Sequence, residues 1–189
     1  MKLQAFVAGL TAAIAITAAA QETYVLEQAH SQPGFEATHI GMSTQRGAFG
    51  KATGTVTLDR AAKKGTVDVT IDTTTIKTFD SRLDNTVKGD KFFNVEKFPT
   101  ITFKSSDVTF DGDRVTGVSG DLTMLGVTKP VKLKVDNFKC GENPFNKKPM
   151  CGAEATATIK RSEWGMTAGI PWTPADEVKL VIPIEAYRQ

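Results

Sequence analysis

Histidine, cysteine, tyrosine and tryptophan each occur only twice in this chain of 189 residues. The scarcity excludes a good deal of chemistry. No third His and no spare Cys is left to complete a zinc site, so such a site would have to recruit carboxylates. His30 and His39 lie about 30 Å apart along an extended segment and face opposite ways, because their offset is odd. They could share an ion only if the chain bent back at Pro33-Gly34. A Ser-His hydrolase lacks its Gly-x-Ser-x-Gly elbow. His30-Ser31 does not replace it, because neighbours on a strand point to opposite faces. Gly117-Val118-Ser119-Gly120 lacks the lysine and following helix of a phosphate cradle. An excess of one charge is missing as well, with 23 Lys and Arg against 21 Asp and Glu. Lys63-Lys64 and Lys147-Lys148 are isolated pairs in turn contexts, which argues against nucleic-acid binding.

Long apolar runs are confined to the first twenty residues. Lys2 provides a positive start, an Ala-, Leu-, Ile- and Val-rich run follows, and Ala18-Ala19-Ala20 offers a small-residue cleavage site before Gln21. This is the pattern of an export signal. The run is interrupted by Gln4, Thr11 and Thr17, and it falls short of the roughly 20 apolar residues of a membrane span. We therefore expect residues 1–20 to be a cleaved signal peptide and residues 21–189 to be one domain, periplasmic or secreted, with no membrane segment after cleavage. Export brings Cys140 and Cys151 into an oxidising compartment, where they are expected to pair. Closing so short a loop stabilises by roughly 3 kcal/mol in the chain-entropy model.

Alternation with period two dominates the rest. Val67, Val69 and Ile71 alternate with polar neighbours, as do Val131, Leu133 and Val135, then Val178, Leu180, Ile182 and Ile184. One apolar and one wet face is the signature of antiparallel strands. Asp111-Gly112 and Lys63-Lys64-Gly65 read as turns. Phe79 to Phe93 breaks the alternation, and Leu83 and Val87 lie four apart, which predicts one or two helical turns begun by Asp80 or Ser81. The chain is thus all-β with a short helical insert. Periodicity leaves a sandwich and a closed barrel equally open. Phenylalanine, with 11 copies, supplies aromatic area that needs no hydrogen-bond partner. That suits a dry core and a hydrocarbon-filled cavity alike.

Five motifs narrow the choice. They are Phe92-Phe93-Asn94-Val95-Glu96-Lys97-Phe98-Pro99-Thr100-Ile101-Thr102-Phe103, Leu122 to Val131, His30-Ser31, His39-Ile40-Gly41 and Arg161-Ser162-Glu163-Trp164-Gly165-Met166. Taken in chain order, from Tyr24 to Arg188, they make the chain resemble the YceI-like family of secreted lipid-binding proteins. The resemblance implies an antiparallel, lipocalin-like β-barrel that holds a polyisoprenoid or similar long lipid. The residues themselves point to no cofactor, no metal and no catalysis. Members often carry His where Thr86 and Leu125 stand here, so any role of such histidines does not carry over. The expected cavity wall is Phe35, Phe92, Phe93, Phe103, Trp164 and Met166, with Ala37, Ala155 and Ala157 keeping room inside. His39, Arg161 or Lys88 would orient a headgroup at the mouth. Gly165 is expected at a close backbone approach, Gly126 and Pro130 at a turn or sheet edge, and Pro99 at a strand start. Partners are expected to be an isoprenoid or fatty lipid, with a homodimer open through an edge strand. An enzyme acting on a lipid and an interaction protein with a dry core are the rival readings.

Overall fold

A computed structural model describes residues 21–189; the expected signal peptide lies outside the described residues. Eleven strands form a single antiparallel sheet. They are β1 (Glu22–Leu26), β2 (Gly34–His39), β3 (Ser43–Phe49), β4 (Ala52–Asp59), β5 (Lys64–Asp72), β6 (Ile76–Lys77), β7 (Thr100–Asp111), β8 (Arg114–Met124), β9 (Val127–Glu142), β10 (Pro149–Lys160) and β11 (Glu177–Arg188). One helix, α1 (Ser81–Lys88), lies between β6 and β7. The pairing order β1-β4-β5-β7-β8-β9-β10-β11 returns to β1, which closes an eight-stranded barrel. The sandwich left open by periodicity is thereby excluded. Eight strands give an interior that side chains can fill or that can hold one small ligand.

One barrel strand breaks its pairing and changes partner along its length, and this break shapes one end. β11 pairs with β1 through Ala186 and Arg188 but with β2 through Val178 and Val181. In parallel with β1-β4-β5, the short set β2-β3-β6 extends the wall from β11. Beyond the break, β7 has no partner from β6, and α1 with the Gly89–Pro99 segment occupies that side. The change of partner on β11 spans Pro183, a residue with no N–H to leave unpaired. Next to it, fully buried Ser31 supplies the missing rung: its Oγ donates to the Glu185 carbonyl at 2.9 Å and accepts the Glu185 N–H at 3.0 Å. Ser31→Ala removes both bonds and is expected to destabilise by about 1–3 kcal/mol. The melting temperature should fall by roughly 5 °C, and an unchanged midpoint would show that water repairs the gap.

The turns follow local chemistry. Asp111 pairs with Arg114, with Gly112 at φ 56° between them, as the sequence suggests. β4 and β5 are joined at residues 60–63, ahead of the expected Lys63-Lys64-Gly65, because Lys63 adopts the left-handed conformation (φ 54°) and Lys64 already pairs with Asp59. Asp80 caps α1 by accepting the Arg82 N–H at 2.8 Å. Pro99 immediately precedes β7, and Pro130 lies in β9 beyond the last residue paired to β10. Cys140 and Cys151 are directly opposite across β9 and β10 and form the expected disulfide. It closes the far end of the barrel beside Tyr24, whose neighbour Arg60 donates to Cys140 Sγ at 3.0 Å.

Candidate functional site

The barrel encloses a cavity of about 850 Å³, toward the upper end of the roughly 300–1,000 Å³ typical of small-molecule sites. Its wall is built by the inward residues of the alternating strands. Val67, Val69, Leu133, Leu180 and Ile182 belong to the apolar faces seen in the sequence. Tyr24, Phe138 and Cys151 form its floor. Small residues at Ala37 and Ala155 leave room, whereas Ala157 packs against the core without lining the cavity. Every buried side-chain N and O atom among the described residues has a hydrogen-bond partner. The interior therefore offers hydrocarbon surface and no idle polar group.

Polar residues collect at one end. His39, Gln45, Arg46, Thr78, Asp80, Arg82 and Thr86 border the cavity there, from the β2–β3 hairpin and the start of α1. This mouth is roofed by an aromatic cluster. Phe93 meets Phe49 edge to face at 5.3 Å and Phe35 at 5.9 Å, and its amide donates to the Val87 carbonyl. Phe35, His39, Phe92, Phe93, Phe103, Arg161 and Met166 all border the cavity, so seven of the eight expected site residues converge. His39 is half-buried at the rim. Lys88 is not at the cavity; its side chain is half-buried beside the helix end.

Two expected residues have structural roles, Trp164 away from the cavity and Arg161 at its border. Trp164 is 2% exposed in the core and does not line the cavity, with Nε1 donating to the Leu122 carbonyl at 3.2 Å. Arg161 has its donors occupied by the main chain, through bonds of 2.7–3.0 Å to the carbonyls of Met166, Ala168, Pro174 and Ala175. It holds the β10–β11 loop in shape, and burial pushes its guanidinium below its ordinary pKa despite Asp176 nearby. Asp176 completes the motif by accepting the N–H and hydroxyl of Ser162, and the Ser162 amide chiefly holds its carboxyl below the usual range. Gly165 serves this motif through its positive φ of 84°; a Cβ there would meet nothing within 4 Å, so close approach is not its reason.

Asp84 fixes α1, whose Leu83, Thr86 and Val87 border the cavity as a lid at its mouth. Its carboxylate accepts the Thr78 N–H and hydroxyl and the Lys77 ammonium, tying α1 to β6. The Thr78 amide, then its hydroxyl, hold the Asp84 carboxyl below its ordinary value of 3.8. A depressed folded pKa stabilises the lid above the unfolded value and loses that effect as pH falls through the folded one. Protection of the α1 amides against hydrogen exchange, corrected for intrinsic rates, should therefore drop as pH falls below about 3.8. In Asp84→Asn this acid-dependent loss should shrink, leaving the contribution of Asp80, whose carboxyl Arg82 also holds low. Equal acid sensitivity in the two proteins would remove Asp84 as the latch.

The histidines do not meet. His30 is exposed on the outside, its Nδ1 2.7 Å from Glu27 and 3.8 Å from Glu185. Bonding to Glu27 raises its pKa above the ordinary value. These three residues are the one group among the described residues whose ligand atoms could surround a metal. Their proximity is already accounted for by the ion pair and by Glu27 capping the amides of Ala29 and His30.

Comparison with known proteins matches residues 24–186 to the YceI-like domain. Protein YceI of Salmonella arizonae is 34% identical over 164 residues, covering 86% of this chain and 84% of that protein. Among solved structures, BcnA of Burkholderia cenocepacia superposes with a TM-score of 0.72 at 24% identity, covering 85% of this chain and 98% of that one. The Campylobacter jejuni YceI protein gives 0.68 at 26% identity over 80% and 90%. A polyisoprenoid-binding domain from Saccharophagus degradans gives 0.64 at 15% identity over 88% and 98%.

Proposed function

The chain belongs to the YceI-like family, and on that premise we propose that it is a binding protein that carries a long-chain isoprenoid, or a fatty lipid of similar girth, in the periplasm or outside the cell. The observation that supports this is the cavity of about 850 Å³, apolar from floor to mouth and polar only at its rim. Tail burial supplies the affinity, at about 0.8 kcal/mol per methylene. The headgroup stays at the rim near His39, because the interior has no unsatisfied polar group to receive it. The Saccharophagus degradans domain is described as polyisoprenoid-binding; at its low identity it contributes the fold, and for this chain it is the cavity that supports a lipid ligand. Export of residues 21–189 after loss of residues 1–20 agrees with the paired cysteines, since disulfides persist in oxidising compartments. No helix among the described residues is long and apolar enough to cross a membrane.

Native mass spectrometry of protein purified from an exporting host, followed by organic extraction, tests the proposal. The expected result is a stoichiometric long-chain lipid whose class the extract identifies. An empty mass that stays unchanged after challenge with prenyl lipids would end the carrier reading.

A further inference from the structure

Large apolar side chains are exposed at six places among the described residues, and four of these stand around the cavity mouth. Phe79 is 94% exposed, Met42 88%, Trp172 70% and Ile40 50%. They come from three separate segments: the β2–β3 turn, the residue before the α1 cap, and the β10–β11 loop. The Ile40 amide donates to the Trp172 carbonyl at 2.9 Å, which brings two of these segments together. Phe79 stands between Thr78 and Asp80, both of which border the cavity. Scattered apolar residues need no explanation, whereas a convergent set marks a contact surface.

We propose that this ring docks the open end of the barrel onto a phospholipid bilayer, with Phe79, Met42, Trp172 and Ile40 entering the headgroup boundary. The inference rests on the lipid-carrier reading and adds the place where lipid is exchanged. Two observations select a bilayer as the occupant. The ring adjoins the cavity: His39, Thr78, Asp80 and Thr173, next in sequence to Ile40, Phe79 and Trp172, border it, so a tail leaving the membrane has only a short path to the barrel. Its charges are also held in ion pairs rather than standing free, with Lys179 sharing Glu36 at 3.5 Å. Arg46 pairs with Glu36 at 2.8 Å, Arg82 with Asp80 at 2.7 Å and Lys77 with Asp84 at 3.1 Å. Such a rim complements a zwitterionic surface, and its attachment comes from apolar insertion with Trp172 at the interface.

The experiment uses the residue 21–189 protein with phosphatidylcholine vesicles, and reads tryptophan emission together with vesicle flotation. Trp164 is buried and gives a constant background, so a blue shift reports Trp172. We expect the shift and co-flotation on phosphatidylcholine alone. Added phosphatidylglycerol or salt to about 1 M, where the Debye length is only about 3 Å, should change partitioning by less than about twofold. Phe79→Ser with Met42→Ser should weaken partitioning at least about tenfold, given the size of the apolar groups removed. The same double variant should take up lipid from detergent micelles normally but from vesicles at least about tenfold more slowly. Absence of shift and flotation overturns the proposal. So does binding that needs anionic lipid or disappears in salt, because the contact would then be electrostatic. A shift that appears without vesicles and follows a doubling of mass also overturns it, by assigning the ring to a second copy of the chain. Vesicle docking without lipid uptake from any source would retain the docking surface and end the carrier reading.

Discussion

Replacing Arg161 with Met is expected to lower the melting temperature by about 10 °C. The guanidinium is 2% exposed and gives four bonds to the carbonyls of Met166, Ala168, Pro174 and Ala175, its planar fork matching their arrangement. Methionine fills much of the volume and donates nothing, so one buried and three half-buried acceptors lose their partners together. Breaking such a network typically destabilises by about 3–5 kcal/mol, and for a chain of this size each kcal/mol lowers the midpoint by roughly 2–4 °C. Arg161→Lys should recover only part of the loss, since an ammonium cannot reproduce the fork. Thermal unfolding followed by circular dichroism, with limited proteolysis of the 165–176 loop, measures both effects. A headgroup ligand would behave differently. If Arg161→Met left the midpoint in place and weakened only lipids with anionic heads, Arg161 would be a binding residue and the bonding pattern described here would not govern its role.

The contrast between Arg161 and the strand residues shows where sequence carries structure. Val131, Leu133 and Val135, or Leu180, Ile182 and Ile184, announce their facing by period alone, because a strand has only two sides. Their placement on the cavity wall follows once the sheet closes. Closure itself is not written in that alternation. It depends on β11 exchanging β2 for β1, and so on Pro183 and Ser31, neither of which changes the period. The Arg161-to-Met166 motif was visible as a motif, yet its residues divide three ways. Met166 borders the cavity, Trp164 packs outside it, and Arg161 holds the loop. Long-range bonds to the 166–175 carbonyls decide this, and no spacing in the sequence encodes them. The rim residues Gln45, Arg46 and Arg82 carried no signal at all, since a charged side chain at a mouth reads the same as one on any wet face.

Ile182→Asp should reduce lipid affinity at least about a hundredfold while the empty protein stays folded. Ile182 is on the cavity wall opposite no polar neighbour of its own strand face, and it pairs across the sheet with the small Ala155. In the empty barrel the new carboxylate is tolerated. The cavity opens to solvent at its mouth, so water can follow the introduced charge and keep it solvated. A lipid tail must expel that water. It then leaves an ionised group against hydrocarbon, a burial that costs several kcal/mol, and a hundredfold loss corresponds to only about 2.8 kcal/mol. The tail has no hydrogen bond to offer in return. Val181→Asp is the matched control: one residue along, the side chain points to the outer face, and binding should be unchanged. Ile182→Leu keeps volume and apolarity, so it should bind within about threefold of wild type. Titration with a fluorescent prenyl or fatty probe separates these outcomes. Equal binding by wild type and a folded Ile182→Asp protein would place the ligand outside the barrel, and the apolar cavity would then lose its claim to be the binding site.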